Sequence, residues 1–424
     1  MKSNNQTKVM GKHKIIFYSS FGGMLEFYDF CVFALLSVYL AKNFFTGDSR
    51  SLGLLYTFLV FALGYAARPI GGIIFGHIGD RIGRKKTFIM TIFLMGISTI
   101  LIGCIPTYAS IGITATVLLV ILRALQGISV GGELPGGITY VSETFSKRNG
   151  YSCGMLYGFV NFGIVLGTGV ILLTNLVFSN SEMLSFGWRI PFLIGGFINI
   201  IAFFIRRKFT ETPVFKELEK KSRVPLLEVF KKYKRAFIFA TLIAGFQAAF
   251  SNLLIFFIPT FIISYANYNA DHVMFMLSIA SLIAGVEIIV VGMISDFGFK
   301  KINMLLIGAL IPFVIGYFIF FMLFTHFTYG WVPMILASLI VCYVVGIVPA
   351  LLGEVFPVEV RYTGVAFSYS LGYAIFGGFL PALTMWLYTI TNSMYAPMIS
   401  LCAVGCLGLI CFFIYPHKNY LKEK

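Results

Sequence analysis

Ionisable side chains inside long apolar stretches are the residues of this sequence with the clearest capacity for chemistry. A charged group at the centre of a bilayer is costly, so where one is kept it usually serves ions, protons or a solute. The residues concerned are Glu26, Asp29, Arg68, Arg123, Glu133 and Glu287. They are the first candidates for a functional site.

Two of the acids are spaced for proton binding. Glu26 and Asp29 stand three residues apart and therefore share one face of a helix. Two neighbouring carboxylates repel each other when ionised, and burial also disfavours the charged form, so one of them binds a proton near neutral pH. We expect Asp29 to carry protons first, because it lies deeper in its apolar stretch, with Glu26 and Glu133 as further carriers. The alternative is that these acids only pair with Arg68 or Arg123 and hold helices together.

Arg123 is the candidate anchor for a substrate. Its planar guanidinium can bind a carboxylate through two parallel hydrogen bonds, and Gln126 shares its helix face. A structural ion-pair network is the alternative role. An aromatic wall would suit a methylated ammonium group. The other expected substrate-binding residues are polar or aromatic and lie in further apolar stretches: Tyr28, Asn161, Gln247, Tyr369 and Tyr373.

A charged, glycine-rich turn separates two of the apolar stretches. It occupies residues 76–86 and reads GHIGDRIGRKK. Four basic residues in a short loop favour the cytoplasmic side of a membrane, and the glycines allow two helix ends to approach closely around Asp80 and Arg84. We therefore expect a conformational gate here. The alternative is a hairpin that only sets the topology.

Apolar stretches of about 20 residues, the length that crosses a bilayer, recur along the whole chain. Hydrophobic residues make up 58% of the 424 residues and charged residues 12%. The sequence predicts an all-α membrane protein with twelve transmembrane helices and both termini cytoplasmic. The predicted spans are 15–40, 53–75, 87–106, 110–138, 151–178, 188–206, 236–262, 273–295, 302–325, 331–352, 363–388 and 394–415.

Composition also excludes several functions. The net charge of +15 does not indicate nucleic-acid binding, because most basic residues fall in the predicted cytoplasmic segments. The seven cysteines lack the spacing of a metal site or a redox pair. The sequence has no glycine-rich loop of the kind that binds nucleotide phosphates. We expect no cofactor, no metal and no enzymatic activity.

Two motifs recur about half a chain apart. GHIGD at 76–80 returns as GMISD at 292–296, and ETF at 143–145 returns as EVF at 354–356. A long polar segment, residues 206–235, lies between the two sets. We predict six helices in 1–206, a cytoplasmic linker at 207–235 and six helices in 236–424. Repeated halves of this kind bind solute between them near the bilayer midplane and rock against each other.

Ionisable residues of both repeats form the predicted cytoplasmic gate. Ion pairs between the halves would close this side and would break when it opens. The expected gating residues are Arg68, Asp80, Arg84, Glu143, Asp296, Glu354 and Arg361.

The turn at 76–86 is accompanied by five further family-like blocks: LEFYDF at 25–30, RPIG at 68–71, RALQGISVGGE at 123–133, ETP at 211–213 and FPVEVRYTG at 356–364. Together they resemble the major facilitator superfamily. Within it they are similar to the metabolite:proton symporters, the group that includes proline/glycine-betaine, α-ketoglutarate, citrate and shikimate transporters. The resemblance covers nearly the whole chain. It implies two pseudo-symmetric halves of six helices that transport by alternating access.

The resemblance and the buried charges together indicate proton-coupled uptake of a small zwitterion or organic acid. The expected partners are the solute, protons and the lipid bilayer, and the expected form is a functional monomer in the cytoplasmic (inner) membrane of a bacterium. A proton-driven exporter of amphipathic or cationic compounds is the alternative within transport. A membrane sensor that does not transport is the alternative from another class.

Overall fold

The computed structural model describes residues 12–45, 50–207, 211–212, 215, 225–258, 261, 270–298, 300–324, 331–393 and 395–415. Within these ranges the chain is helical and contains no strand.

Twelve long helices in the described ranges match the twelve predicted spans one for one. They are α1 (Lys12–Leu35), α2 (Arg50–Arg81), α3 (Arg84–Cys104), α4 (Ile113–Thr144), α5 (Asn149–Val177), α6 (Arg189–Arg207), α7 (Lys234–Ser251), α8 (Ala270–Ile294), α9 (Lys301–Phe324), α10 (Trp331–Val355), α11 (Arg361–Gly372) and α12 (Ala396–Ile414). Two continue through a π-helical turn, α7 through Asn252–Phe257 and α11 through Tyr373–Gly377 into Gly378–Thr391. We call α1–α6 the N-terminal half and α7–α12 the C-terminal half.

Apolar side chains cover the outside of the bundle. Nine of the described helices are long and apolar enough to cross a membrane, and the stretches Lys301–Phe313 of α9 and Val341–Val355 of α10 are apolar as well. Leu176 is 83% exposed and Phe413 is 79% exposed. A bilayer is the solvent that accepts such a surface, since helices satisfy their own backbone groups there. The predicted all-α, multi-pass membrane architecture is confirmed.

Some helices run further than the hydropathy of the sequence predicts. α2 continues to Arg81 although its predicted span ends at 75, and α4 continues to Thr144 although its predicted span ends at 138. The added turns are polar, yet Asp80 and Glu143 on them are buried. They stay helical because their side chains find hydrogen-bond partners at the end of the bundle.

Glycines fix the crossing of α2 and α4, the helices that carry Arg68 and Arg123. A Cβ atom at Gly71 would collide with the carbonyl oxygen of Ile128, and a Cβ atom at Gly131 with that of Arg68. The helix backbones are in direct contact, which only glycine allows. The crossing therefore holds Arg68 and Arg123 at a fixed separation.

α5 and α8 form a close seam between the two halves. A Cβ atom at Gly158 would lie 2.6 Å from the Gly285 carbonyl oxygen, and the Ser278 hydroxyl donates to Thr168 Oγ1 at 3.1 Å. The glycine-rich stretch of the fifth span thus packs against a helix of the other half.

The long polar segment between the halves is described only in part. Arg207, residues 211–212, residue 215 and residues 225–235 belong to the described chain, and they include the helix Pro225–Lys232. The Lys/Glu pattern KELEKK at 216–221 predicts a surface helix, and these residues lie outside the described ones. The domain boundaries 1–206, 207–235 and 236–424 stay a prediction.

Candidate functional site

Arg123 is buried in α4 without a carboxylate partner in the described chain. Its Nη1 donates to Gln126 Oε1 at 3.0 Å, as the spacing on one helix face predicts. The guanidinium lies 4.3 Å from the Phe33 ring centroid and 5.1 Å from those of Phe30 and Phe61. Nε and Nη2 have no hydrogen-bond partner among the described residues. The aromatic rings stabilise the cation but leave two donors open.

Arg68 lies beside the same aromatic group. Its guanidinium is 5.2 Å from the Phe30 centroid, 4.2 Å from Tyr65 and 5.6 Å from Tyr373. Phe30 therefore neighbours both buried guanidinium groups, and Tyr373 brings in the C-terminal half. The sequence places Arg68 in the cytoplasmic gate, but here it lies with Arg123 at the meeting of the halves. Its Nε and Nη1 also have no partner in the described part of the chain.

Asp29 is joined to Arg123 by a chain of hydrogen bonds. Gln126 Nε2 donates to Thr99 Oγ1 at 2.9 Å, and the Thr99 hydroxyl donates to Asp29 Oδ2 at 3.0 Å. Asn199 Nδ2 donates to the same carboxylate oxygen at 2.6 Å. These hydrogen bonds give a physical route by which the hydrogen bonding of Arg123 and the charge of Asp29 influence each other. Neither Thr99 nor Asn199 is among the residues predicted from the sequence, although both are polar residues within apolar spans.

Glu26 is 3% exposed, and neither of its carboxylate oxygens has a hydrogen-bond partner among the described residues. It lies within electrostatic range of Arg68, Arg206 and Asp29. In the described chain, neither Glu26 nor Asp29 forms an ion pair with Arg68 or Arg123. The contacts of Glu26 and Asp29 in this structure therefore do not include the ion pairs that the alternative interpretation requires.

Glu133 has a basic partner that the sequence does not suggest. Arg206 lies in the last turn of α6, where a solvated position is expected, yet it is 1% exposed and forms an ion pair with Glu133. Its Nη1 also donates to the Phe88 carbonyl oxygen at 3.0 Å. The hydroxyl of Thr91 donates to Glu133. A Cβ atom at Gly22 would collide with the guanidinium, so this glycine makes room for Arg206 beside α1.

Three tyrosines connect the halves near Arg68. The Tyr157 hydroxyl of α5 donates to the Tyr369 hydroxyl of α11 at 3.1 Å, and the rings of Tyr369 and Tyr373 stack at 4.2 Å. On α7, Asn252 Nδ2 donates to the Gly377 carbonyl oxygen at 2.9 Å. π-Helical turns such as those at Asn252 and Tyr373 are frequent at functional sites. Tyr369 and Tyr373 thus join the group that contains Arg68.

The remaining predicted ligands have other surroundings. Tyr28 donates its hydroxyl to the Pro191 carbonyl oxygen at 2.8 Å, and Asn161 Nδ2 donates to the Tyr157 carbonyl oxygen at 3.2 Å on its own helix. These bonds give both residues a structural role in this conformation. Gln247 is 1% exposed, and its amide has no partner within the described ranges.

The end of the bundle at which α2 ends and α3 begins is closed by contacts between the halves. We call it the basic face. The Asp80 carboxylate accepts hydrogen bonds from the backbone N–H groups of Tyr362 and Thr363, at 3.2 and 2.8 Å. These residues begin α11, and the start of a helix favours a negative charge. Asp80 also pairs with Arg84 at 3.2 Å.

In the second repeat, an aspartate of the C-terminal half contacts the start of a helix of the N-terminal half. The Asp296 carboxylate, after α8, accepts from the backbone N–H groups of Gly150 and Tyr151 at 2.9 and 2.8 Å. Gly150 and Tyr151 begin α5. Each repeated aspartate therefore caps a helix of the other half.

Glu143 and Glu354 complete the closed face. Glu143 pairs with Arg84 at 3.1 Å and with Arg361 at 3.7 Å. Glu354 accepts from Asn149 Nδ2 at 3.1 Å and pairs with Lys301. Glu143–Arg361 is the only ion pair between halves in the described ranges. The expected gate of ion pairs is therefore corrected: in the described chain, the aspartates of this face contact the other half through backbone N–H groups at helix starts, and one ion pair adds to them.

Twelve helices in two halves, with buried charges at their meeting point and one closed face, define a secondary membrane transporter. The chain belongs to the Major Facilitator Superfamily, whose family model matches residues 19–377. It is a membrane transporter and not an enzyme.

Named relatives and solved structures agree with this assignment. The chain is 30% identical to a putative proline/betaine transporter of Staphylococcus aureus (strain COL), over 94% of this chain and 86% of that protein. It is 30% identical to the proline/betaine transporter of Escherichia coli (strain K12), over 94% of this chain and 82% of that protein. The resemblance to the metabolite:proton symporter group is confirmed. The structure of the proton:xylose symporter XylE bound to 6-bromo-6-deoxy-D-glucose shares the fold, with a TM-score of 0.75 and 17% identity over 95% of this chain and 94% of that chain.

Proposed function

We propose that this protein is a proton-coupled symporter that takes up a small zwitterion or organic acid by alternating access. The observation that carries the proposal is the buried group of Arg68, Arg123 and Glu26. These residues keep polar atoms that no described residue binds. Buried charged groups need partners, and a solute carboxylate and a proton are the partners that complete this group.

The size and balance of charge favour one carboxylate per solute. Two guanidinium groups with two acids nearby would be over-neutralised by a tricarboxylate. A zwitterion fits better, since its carboxylate can bind Arg123 and its cationic group can face the rings of Tyr369 and Tyr373. The relatives are named for proline and betaine, which are both small zwitterions. We therefore propose proline-like or betaine-like solutes as the first class.

Coupling follows from the hydrogen-bond chain to Asp29. A solute carboxylate at Arg123 changes the bond to Gln126, and the change reaches the Asp29 carboxylate through Thr99. Glu26 and Asp29 act as the proton carriers in this proposal, and Glu133 balances the charge of Arg206. Loss of the contacts of Asp80 and Asp296 would then open the basic face.

We place the basic face in the cytoplasm of a bacterium, at its cytoplasmic membrane, with both termini on that side, because cytoplasmic loops are rich in Lys and Arg. The unit of transport is one chain, since both halves that line the site belong to it. The two six-helix domains, 1–206 and 236–424, would rock about the α5–α8 seam.

Uptake by purified protein in liposomes tests the proposal. We expect radiolabelled proline or glycine betaine to accumulate when the outside is made more acidic, and a protonophore to abolish the accumulation. Counterflow of the same solute without a pH gradient should persist. Accumulation with a pH gradient of opposite sign would support an exporter instead, and absence of counterflow across amino acids, betaines and organic acids would support a sensor.

A further inference from the structure

A tyrosine of the C-terminal half enters the N-terminal half at the basic face. Tyr362, in the first turn of α11, is fully buried. A Cβ atom at Gly79 of α2 would lie 2.5 Å from its ring, and a Cβ atom at Gly136 of α4 would collide with its hydroxyl group. The ring therefore occupies a space that these two glycines leave free. We call this space the tyrosine slot.

The backbone and the hydroxyl group of Tyr362 contact different features of the N-terminal half. Its backbone N–H donates to Asp80 Oδ1 at 3.2 Å, which is one of the contacts that close the basic face. Its hydroxyl donates to the carbonyl oxygen of Gly132 at 2.9 Å, one residue before Glu133. Tyr362 thus extends from the closed face to the level of a buried acid in α4.

The hydroxyl group of Tyr362 lies beside a buried group of charges. Glu133 pairs with Arg206, and both are buried. The guanidinium of Arg206 lies against Gly22 of α1, and Glu26 follows Gly22 by four residues, so it shares that face of the helix. The carboxylate of Glu26 has no hydrogen-bond partner in the described chain. We call Glu26, Glu133 and Arg206 the inner charge group.

Four further titratable or charged side chains lie within electrostatic range of the inner charge group. They are Asp29 of α1, Arg68 of α2, Tyr157 of α5 and Tyr362 of α11. The hydrogen-bonding groups that α3 contributes are neutral, namely the Thr91 hydroxyl on Glu133 and the Phe88 carbonyl on Arg206. Of the four, Tyr362 is the one that belongs to the C-terminal half. A movement of the halves at the basic face therefore changes its contact with the group directly.

The position of the ring determines whether water can reach these charges from the basic face. A buried carboxyl group releases its proton only to an acceptor that reaches it, and at the basic face this acceptor is water. The ring of Tyr362 fills the slot and excludes water while α11 stays in place. If α11 moves away, the ring leaves with it, and the carbonyl oxygen of Gly132 loses its donor. A water molecule in the emptied slot would replace that hydrogen bond.

We propose that Tyr362 is a positioning residue for proton release: its ring separates the inner charge group from the water at the basic face. A proton held by this group passes to that water only after the ring has left the tyrosine slot. The inference rests on the proposed function, in which Glu26 carries a proton. It does not depend on which solute is transported.

Labelling of a cysteine beside the inner charge group measures access from the basic face. Ser129 is fully buried on α4, one turn before Glu133, and Ser129→Cys in a chain without the native cysteines is the reporter. A charged, membrane-impermeant thiol reagent is added to vesicles of either orientation. Labelling of Lys147→Cys, an exposed position of the basic face, identifies the side of the membrane that this face contacts.

The variants of Tyr362 should differ according to whether a ring remains. Tyr362→Ala should raise the labelling rate from the basic face about tenfold or more, because loss of a buried aromatic side chain shifts the balance between closed and open forms at least that far. Tyr362→Phe should keep a rate close to that of the wild type, since its ring still fills the slot. Phe367→Ala is the matched control on the same helix and should also keep the rate, because its ring stacks on Phe237 within the C-terminal half.

A change in the slot itself separates Tyr362 from a general loosening of the bundle. Gly136→Ala should raise the labelling rate, since the new methyl group displaces the hydroxyl of Tyr362. It should add little in a chain that already carries Tyr362→Ala. Gly137→Ala is the control, because its methyl group would meet the side chain of Leu156 instead.

Three labelling results would overturn the proposal. One is an unchanged rate in Tyr362→Ala. Another is an equal rise in Gly137→Ala or Phe367→Ala, which would mean a general loosening. The third is a full additional effect of Gly136→Ala in the chain with Tyr362→Ala.

A pH-sensitive dye inside liposomes tests the proton itself. Without solute, protons should enter liposomes with Tyr362→Ala faster than liposomes with the wild type, and equal entry would overturn the link to proton release. Failure of the proposed function has a different signature, because the wild type would then accumulate no solute when the outside is acidic. The labelling rates still decide in that case whether Tyr362 keeps water from the inner charge group.

Discussion

Arg123 is a buried cation that forms no ion pair in the described chain. One amide and three aromatic rings stabilise it, and two of its donor atoms remain open. Removing a charge from water without an opposite charge is costly. These open donor atoms support the proposal that Arg123 binds an anionic group of the solute.

Replacing Arg123 should separate binding from folding. We expect Arg123→Ala to abolish the rise in unfolding temperature that the solute causes, because the solute carboxylate loses its two-point partner. The protein should still fold, since the substitution breaks no ion pair of the described chain. Arg207→Ala, at the exposed end of α6, is the control and should keep the shift. A normal solute shift in Arg123→Ala would remove this residue from the site.

The Glu133–Arg206 pair makes a different prediction. Arg206→Gln leaves a buried carboxylate without its partner and should destabilise the protein by about 3–5 kcal/mol. The double variant Glu133→Gln/Arg206→Gln should recover most of that loss, because neither charge remains. Thermal unfolding of the wild type, Arg206→Gln, Glu133→Gln and the double variant gives the coupling free energy between the two residues. If the two single effects simply add in the double variant, the residues do not act as a pair.

The helices were predictable to a large extent, and the contacts of polar residues at their ends were not. Apolar length alone located all twelve spans. It did not predict that α2 and α4 continue past their apolar stretches, because the partners of Asp80 and Glu143 come from helices far away in the chain. Arg206 was missed for the same reason: its position at a helix end suggests solvent, while its guanidinium reaches Glu133 inside the bundle.

The two aspartate caps should control the closed basic face. Asp80→Asn and Asp296→Asn each replace a carboxylate that accepts two helix N–H bonds, and hydrogen bonds to a charged group contribute about 1.5–3 kcal/mol. We expect the population with an open basic face to increase in each variant and further in the double variant. Spin labels can be attached through Lys147→Cys and Lys300→Cys in a background without the native cysteines. The distance between the two labels should be longer in the aspartate variants than in the protein that keeps both aspartates.

An exposed acid on the opposite side provides the control for the caps. Glu182→Gln should leave the spin-label distances unchanged, since among the described residues the Glu182 carboxylate binds only Ser179 in its own turn. Unchanged distances in the double aspartate variant would contradict the gating role of the caps.

At the scale of the whole molecule, the two halves meet along a glycine seam, around a group of buried charges and at one closed face. The sequence repeats predicted that the halves would correspond. The charges at the centre were also predictable, since ionisable residues are rare in apolar spans. The bonds that link Arg123 to Asp29 were not, because they pass through Gln126 and Thr99 of different helices and depend on the packing of both.

The most direct test of the account compares accumulation with counterflow in liposomes for Glu26→Gln and Asp29→Asn. The account predicts that at least one of the two variants keeps solute counterflow but no longer concentrates solute when the outside is made acidic, because the carrier of the proton is gone. If both variants still concentrate solute with an unchanged dependence on pH, these carboxylates do not couple protons to transport.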